Sequence, residues 1–498
     1  MSNIRVTYSG LISFIIGISS VFTGLVYILI VTRTLTANEF GTWSLIGTMI
    51  GYFIISERVI SYWTTRQVAR DEKVGNTSLI SSLGFSMGAI PLYLAVVYLI
   101  SQQSDASLEP MLIGAVLIPV FFIGEAIQSI NLGHMPQATG YGLLGFEIVK
   151  IPAALVLVYF LELGVVGAIF ASLAAYIIRI GIQLYFARSQ LKGKFSLSIL
   201  KRWARISWIP LYSNIARFFK SSDILVYSII TGSVIGVAYY AVAMTLDKII
   251  HISDSISRAL YPKLIATGEH SYIKENLGLQ MYFAIPLLTL SVLFAKPAMF
   301  ALNPIYIDVA IIAIVLSFRM FFSEFNGIFG KILQGIDKVD VENNPKFSSL
   351  LKSKIFFVFT VKNVRGGVQL VAIIIVLVFL NSIGFSELEL VTWWAITSLS
   401  IEIPVVIFMW LYVRKFVKSF FPYTRIAKFI VASLAFTAVF FVTSDSIIEY
   451  KISIYDFLPG VIAQLAICAG IYLFVTYIID KKIRFLFKSM IKEIISKK

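Results

Sequence analysis

The feature that most constrains this chain is the recurrence of charge-free apolar stretches about 20 residues long, the length of helix needed to cross a bilayer core. Gly10 to Val31, Leu79 to Ile100, Leu277 to Ala295, Gly366 to Phe385 and Phe457 to Ile479 all qualify. Inside hydrocarbon no water serves the backbone, so each stretch must close its own hydrogen bonds as a helix. Seven more are as apolar but carry charge: Met111 to Ile130, Leu143 to Leu161, Leu163 to Ala187, Ser207 to Ile230, Ser233 to Ile252, Ile307 to Gly330 and Leu390 to Val413. Phe40 to Ser56 and Phe429 to Thr443 complete a set of fourteen. A composition of 58% hydrophobic and 14% charged residues excludes a soluble protein, and the lone Cys468 excludes a disulfide scaffold, a zinc cluster or a redox pair.

The net charge of +15 is explained by topology. With a cytoplasmic N-terminus, the fourteen segments place 31 of the 42 Lys and Arg residues on the inner side and only Arg33 and Lys451 outside. This is the positive-inside pattern, with both termini cytoplasmic. A nucleic-acid partner loses its main support, while the tail from Lys481 to Lys498 is expected to touch anionic lipid headgroups. The outer loops are short, which argues against a large external catalytic domain. Gly10 to Val31 lacks a cleavage pattern and reads as a retained helix. The sequence therefore predicts an all-α, multi-pass protein of the cell (plasma) membrane.

The two halves begin alike. Val26-Tyr27 followed by Phe40-Gly41-Thr-Trp43 is echoed by Val226-Tyr227 followed by Ile235-Gly236-Val-Ala-Tyr239, and Ile55-Ser56-Glu57 by Ile252-Ser253-Asp254. Such repeats predict two pseudo-symmetric six-helix bundles, residues 1–205 and 206–415, around a central cavity, with two added helices and a basic tail in 416–498.

On these residues the chain resembles a known family. Arg33-Thr-Leu-Thr-Ala-Asn-Glu39-Phe40-Gly41, Leu163-Gly-Val-Val-Gly167-Ala168, Pro210 with Asp223, and Gly232-Ser-Val-Ile-Gly236-Val-Ala-Tyr239 are similar to patterns of the polysaccharide-export flippases. These belong to the multidrug, oligosaccharidyl-lipid and polysaccharide exporter superfamily. The likeness covers roughly Gly10 to Gly335; in the second half Glu387-Leu-Glu389 replaces the expected glycine-rich opening, and Asp337 to Lys354 forms a longer polar loop.

An ionisable group at mid-bilayer costs about 2.5 to 3.5 kcal/mol on insertion scales, so each needs a partner, water or a purpose. Asn214, Arg217, Lys220 and Asp223 are spaced by three and form one drifting helical stripe. Arg217, Lys220, Arg319 and Asn214 are the candidate cationic substrate site. Asp223, Asp247, Glu125, Glu324 and Glu402 are candidates for coupling or charge balance. The structural alternatives are that Asp223 and Asp247 neutralise Arg217 and Lys220, and that Arg319 bridges to Glu402. Glu147 and Lys150 read as a local pair, Arg179 as a snorkelling side chain, and Glu125 as lacking a local partner. Gly140-Tyr-Gly142-Leu-Leu-Gly145 matches a dinucleotide fingerprint but has no preceding strand, and is expected to form a turn. His134, His251 and His270 lack metal-ligand spacing, and no phosphate-binding loop is present, so neither metal nor cofactor is expected.

The resemblance implies a flippase moving a lipid-linked oligosaccharide from the inner to the outer leaflet for surface polysaccharide or glycan assembly, by alternating access. The phosphate of its polyprenyl carrier would pair with Arg217, Lys220 and Arg319. Glycan-assembly enzymes are the implied protein partners. Two alternatives stand beside it: a cation-coupled multidrug exporter of the same superfamily, and an integral-membrane glycosyltransferase or ligase.

Overall fold

The computed structural model describes residues 19–20, 22–205, 207–254, 271–337, 351–417, 420–485 and 488. All regular structure among them is helical. In chain order the helices are α1 (Phe22–Thr34), α2 (Ala37–Val68), α3 (Gly75–Ser101), α4 (Leu108–His134), α5 (Gln137–Phe160) and α6 (Gly164–Ala187). Then come α7 (Leu197–Arg205), α8 (Trp208–Thr231), α9 (Ile235–His251), α10 (Ser271–Leu293) and α11 (Ala295–Leu302). The series closes with α12 (Pro304–Gly335), α13 (Lys354–Ser382), α14 (Glu387–Arg414), α15 (Tyr423–Ile447) and α16 (Ile454–Ile479).

Eleven of these helices are long and apolar enough to cross a membrane, and the protein is a multi-pass membrane protein. The other three expected spans coincide with α1, α8 and α9. α1 is described only from Phe22, α9 has 17 residues, and the 24 residues of α8 carry Arg217, Lys220 and Asp223. The start of the first span, the loop segment 338–350, Arg258, Lys263, His270 and most of the basic tail lie outside the described residues.

Two helices run well past their apolar stretches. α2 continues twelve residues beyond Ser56 to Val68, and at 1.5 Å per residue its 32 residues extend about 48 Å. Glu57 and Arg58, which follow the apolar stretch that ends at Ser56, are therefore helical. α13 begins at Lys354 instead of Gly366, which puts Lys362 and Arg365 on the helix. The polar residues do not stop either helix because the intrahelical hydrogen-bond ladder is indifferent to side-chain polarity where a neighbour supplies a partner.

The expected turn at Gly140–Gly145 is also corrected: it is helical, within α5. A Cβ at Gly145 would stand 2.3 Å from Ile182 Cδ1, and one at Gly142 2.5 Å from Gln183 Cγ, so the glycines seat α6 against α5. The start of α2 is set by a capping box, in which Thr36 N–H donates to Glu39 Oε2 at 2.9 Å and Glu39 N–H to Thr36 Oγ1 at 3.3 Å. Gly164 opens α6 with φ +56°, and a Cβ there would lie 2.8 Å from Glu39 Oε1. The glycine thus serves both the left-handed backbone and the cap of α2. Ser386 and Glu389 form a matching box at α14.

By packing, the chain divides into two compact units, residues 1–241 with 366–391, and residues 242–365 with 392–498. This division follows contacts, whereas the boundary at 205/206 follows sequence symmetry. In the first unit, α2 packs on α4 and α5 on α6. In the second, α15 and α16 pack on each other and α15 on α10. Tyr282, Phe429, Phe436 and Tyr472 form an aromatic core there, with the Tyr472 hydroxyl donating to Tyr282 O at 2.6 Å.

Candidate functional site

In the first unit the stripe on α8 has one buried end and an exposed middle. Arg217 is the tenth residue of the helix, roughly 15 Å from its start, and both it and Lys220 are exposed, while Asn214 is half-buried. Asp223 is only 3% exposed, and its Oδ1 accepts from the Ile224 N–H at 2.9 Å. α8 is held against α2 near this point by Tyr52 and Phe218, edge to face at 5.1 Å.

Two residues from neighbouring helices join this region. Arg58 on α2 and Glu125 on α4 both interact electrostatically with Arg217. Glu57, wholly buried, accepts from Ser61 Oγ at 2.6 and 2.8 Å and from Ser82 Oγ at 3.1 Å. Glu57 also feels Glu125 and Arg58. The signal available in the sequence was the i, i+4 spacing of Glu57 and Ser61, which favours a continued helix. Glu125, expected to lack a local partner, thus has Arg217 as a charge neighbour across the bundle.

Farther along the same unit, Lys150, Glu147 and Arg179 are partnered. Lys150 pairs with Glu147 at 2.5 Å, as their spacing of three suggested. Glu147 also accepts from Ser20 and Thr23 at 2.5 and 2.6 Å. Arg179 donates to Gln128 and lies 5.8 Å from the Tyr176 ring, so it is held in place instead of snorkelling.

The second unit holds the other candidates as buried pairs. Arg319 donates to Asp247 Oδ2 at 2.7 Å, with the two residues 6% and 4% exposed. The anticipated partner of Arg319, Glu402, is instead bound by Arg365, whose Nη1 donates to both carboxylate oxygens at 2.8 and 2.9 Å, and by Asn326. Glu324 meets His251 Nδ1 at 2.8 Å and accepts from Gln280 at 3.2 Å. Lys331 pairs with Asp254. Asp247 therefore pairs with Arg319 within the second unit.

Chemically, the first unit offers exposed guanidinium and ammonium groups on a membrane-length helix, while the second engages Asp247, Asp254, Glu324 and Glu402 with Arg319, Lys331, His251 and Arg365. Among the described residues no cluster of three or more His, Cys, Asp or Glu side chains could hold a metal ion.

No protein-family model matches the chain, and no curated protein matches it in sequence. Solved structures do match in shape. The lipid II flippase MurJ in an inward closed conformation aligns over 94% of this chain and 98% of its own, with TM-score 0.70 and 13% identity. An inward-facing multidrug resistance MATE family transporter of the MOP superfamily aligns over 82% and 98%, with TM-score 0.60 and 16% identity. An outward-facing one gives TM-score 0.54 over 84% and 95%, at 17% identity. From its helix order and these likenesses, the chain has the fold of the MOP-superfamily transporters.

Proposed function

We propose that the protein is a transporter that moves a lipid-linked oligosaccharide from the inner to the outer leaflet by alternating access, for surface polysaccharide or glycan assembly. The observation that carries this reading is the exposure of Arg217 and Lys220 deep along α8. A cation held this far inside a membrane helix is costly unless it meets a countercharge, water or an anionic ligand, and the exposure of both side chains leaves them accessible to the last. An oligosaccharide carried on a polyprenyl phosphate or diphosphate supplies that anion, and an arginine fork with a lysine point charge is suited to hold it. The activity of one structural neighbour, flipping of lipid II, is of this chemical kind.

The competing reading, an exporter of organic cations, calls for available carboxylates. Asp247, Glu324 and Glu402 are instead engaged by Arg319, His251 and Arg365. Glu125 and Glu57 stand beside Arg217 and Arg58, where a coupling ion or proton would act on the same charge cluster.

The test is translocation of a fluorescent lipid-linked oligosaccharide in vesicles containing the purified protein. Wild type is expected to move it and the Arg217→Ala/Lys220→Ala double variant is not. Undiminished flipping by both single variants and the double, at normal protein levels, would sink the assignment.

A further inference from the structure

A short basic helix is pinned beside an open groove on the first unit. The connection after α6 is fastened to the start of α3: Asn76 Nδ2 donates to Gly193 O at 2.9 Å, and the Ser196 N–H donates to Thr77 Oγ1 at 3.0 Å. α7 follows and is anchored by Trp203, which is wholly buried against Ile60, Val68 and Val74, with its indole N–H donating to Gln67 Oε1 at 3.0 Å. Its other side remains outside. Leu197, Lys201, Arg202 and Arg205 are all exposed, the pattern of a helix lying in the membrane interface.

The groove beside it has a volume of about 770 Å³, within the roughly 300–1,000 Å³ typical of small-molecule sites. Phe53 of α2 and Phe85 of α3 form its walls, and Phe195 and Leu200 close the end nearest α7. Gly84 and Gly88 lie along its floor, and among the described residues a Cβ added at either would meet nothing within 4 Å. These glycines therefore do not admit a packing helix, which is the ordinary reason for small residues in a membrane segment. The lining runs along α3 from Ile80 to Leu92, about 18 Å of helix, comparable to one leaflet's half of the roughly 30 Å hydrocarbon core.

Two observations indicate what fills it. The end at α7 is flanked by exposed Lys194 and Lys201, next in sequence to the lining residues Phe195 and Leu200. Ser81, also on the lining, is 4% exposed, and its Oγ has no hydrogen-bond partner among the described residues. It sits six residues into α3, about 9 Å from the helix start, where headgroup gives way to hydrocarbon.

We propose that this groove binds one acyl chain of an anionic diacyl phospholipid from the leaflet on the basic side, a site separate from the transported substrate. The chain lies over Gly84 and Gly88, the Ser81 hydroxyl donates to the glycerol ester, and Lys194 and Lys201 hold the phosphate. Apolar length, an orphaned donor and cationic charge then fall in the order of a phospholipid's own tail, ester and headgroup.

The test uses the full chain in detergent, with retention of the first added lipid read by native mass spectrometry. Dioleoylphosphatidylglycerol and dioleoylphosphatidylcholine are titrated separately. Wild type is expected to prefer phosphatidylglycerol by about tenfold, and Lys194→Gln/Lys201→Gln to abolish that preference. Gly84→Leu/Gly88→Leu fills the groove and is expected to weaken retention of both lipids roughly tenfold. If the leucine variant does not fold, the lysine variant, altered only at exposed positions, decides alone. Equal retention of the two lipids by wild type, or phosphatidylglycerol retention unchanged in both variants, overturns the proposal. Displacement by an equal concentration of a long-chain polyprenyl phosphate would give the groove to the substrate's tail and overturn it as well. None of these readouts depends on transport.

Discussion

Arg319 and Asp247, 72 positions apart in the chain, meet at 2.7 Å with both side chains almost fully buried. Breaking such a pair leaves one charge without compensation, at a cost of about 3–5 kcal/mol. Arg319→Ala and Asp247→Ala are each expected to lower the thermal unfolding midpoint strongly in detergent. Arg319→Met/Asp247→Leu should recover most of the loss. Single variants as stable as wild type would contradict a structural role for the pair.

Arg217 and Lys220 should behave in the opposite way. Both are exposed, so alanine at either is expected to leave the unfolding midpoint within about a degree or two of wild type, as surface changes do. Losing a charge-assisted contact to a phosphate is expected to slow translocation at least tenfold, from about 1.5–3 kcal/mol per bond. Midpoint and transport rate measured on the same preparations separate this from damage to the fold.

Glycines in this chain divide into two kinds that one substitution distinguishes. A Cβ at Gly41 would stand 2.0 Å from the backbone oxygen of Val234, which cannot swing aside, whereas one at Gly88 would meet nothing within 4 Å among the described residues. Gly41→Ala is expected to cost about 1–3 kcal/mol or more through overpacking. Gly88→Ala is expected to be neutral, or stabilising by up to about 1 kcal/mol through helix propensity. Yield and midpoint after purification check both.

The buried Glu57 depends on its two serine donors. Ser61→Ala or Ser82→Ala removes one hydrogen bond to the carboxylate and is expected to destabilise by about 1–3 kcal/mol. If the effects are coupled through that carboxylate, the double variant will depart from the sum of the singles. Simple additivity in a double-mutant cycle would show that the serines act independently.

The spans were legible because each membrane helix must satisfy its own backbone, so length and hydropathy suffice to find it. The exceptions are instructive. α2 and α13 outrun their apolar stretches because Glu57 and Arg365 find partners in Ser61, Ser82 and Glu402, and no hydropathy count sees those partners. The glycines at 140–145 read as a turn because their contacts, Gln183 and Ile182, lie some 40 residues away. Arg319 and Glu402 lie at similar depth in their spans, but depth does not say which of two carboxylates an arginine faces.

By itself the sequence determined the all-helical, multi-pass character of the protein, the places of eleven membrane-length apolar helices and the local pair of Glu147 with Lys150. All of these rest on interactions within one segment or on the partition of residues between water and hydrocarbon. Only the tertiary structure decided which cations are consumed in buried bridges, which stay exposed on α8, and that a groove opens over Gly84 and Gly88 beside α7. Those outcomes depend on the azimuth at which one helix meets another, set by side-chain packing between segments far apart in the chain.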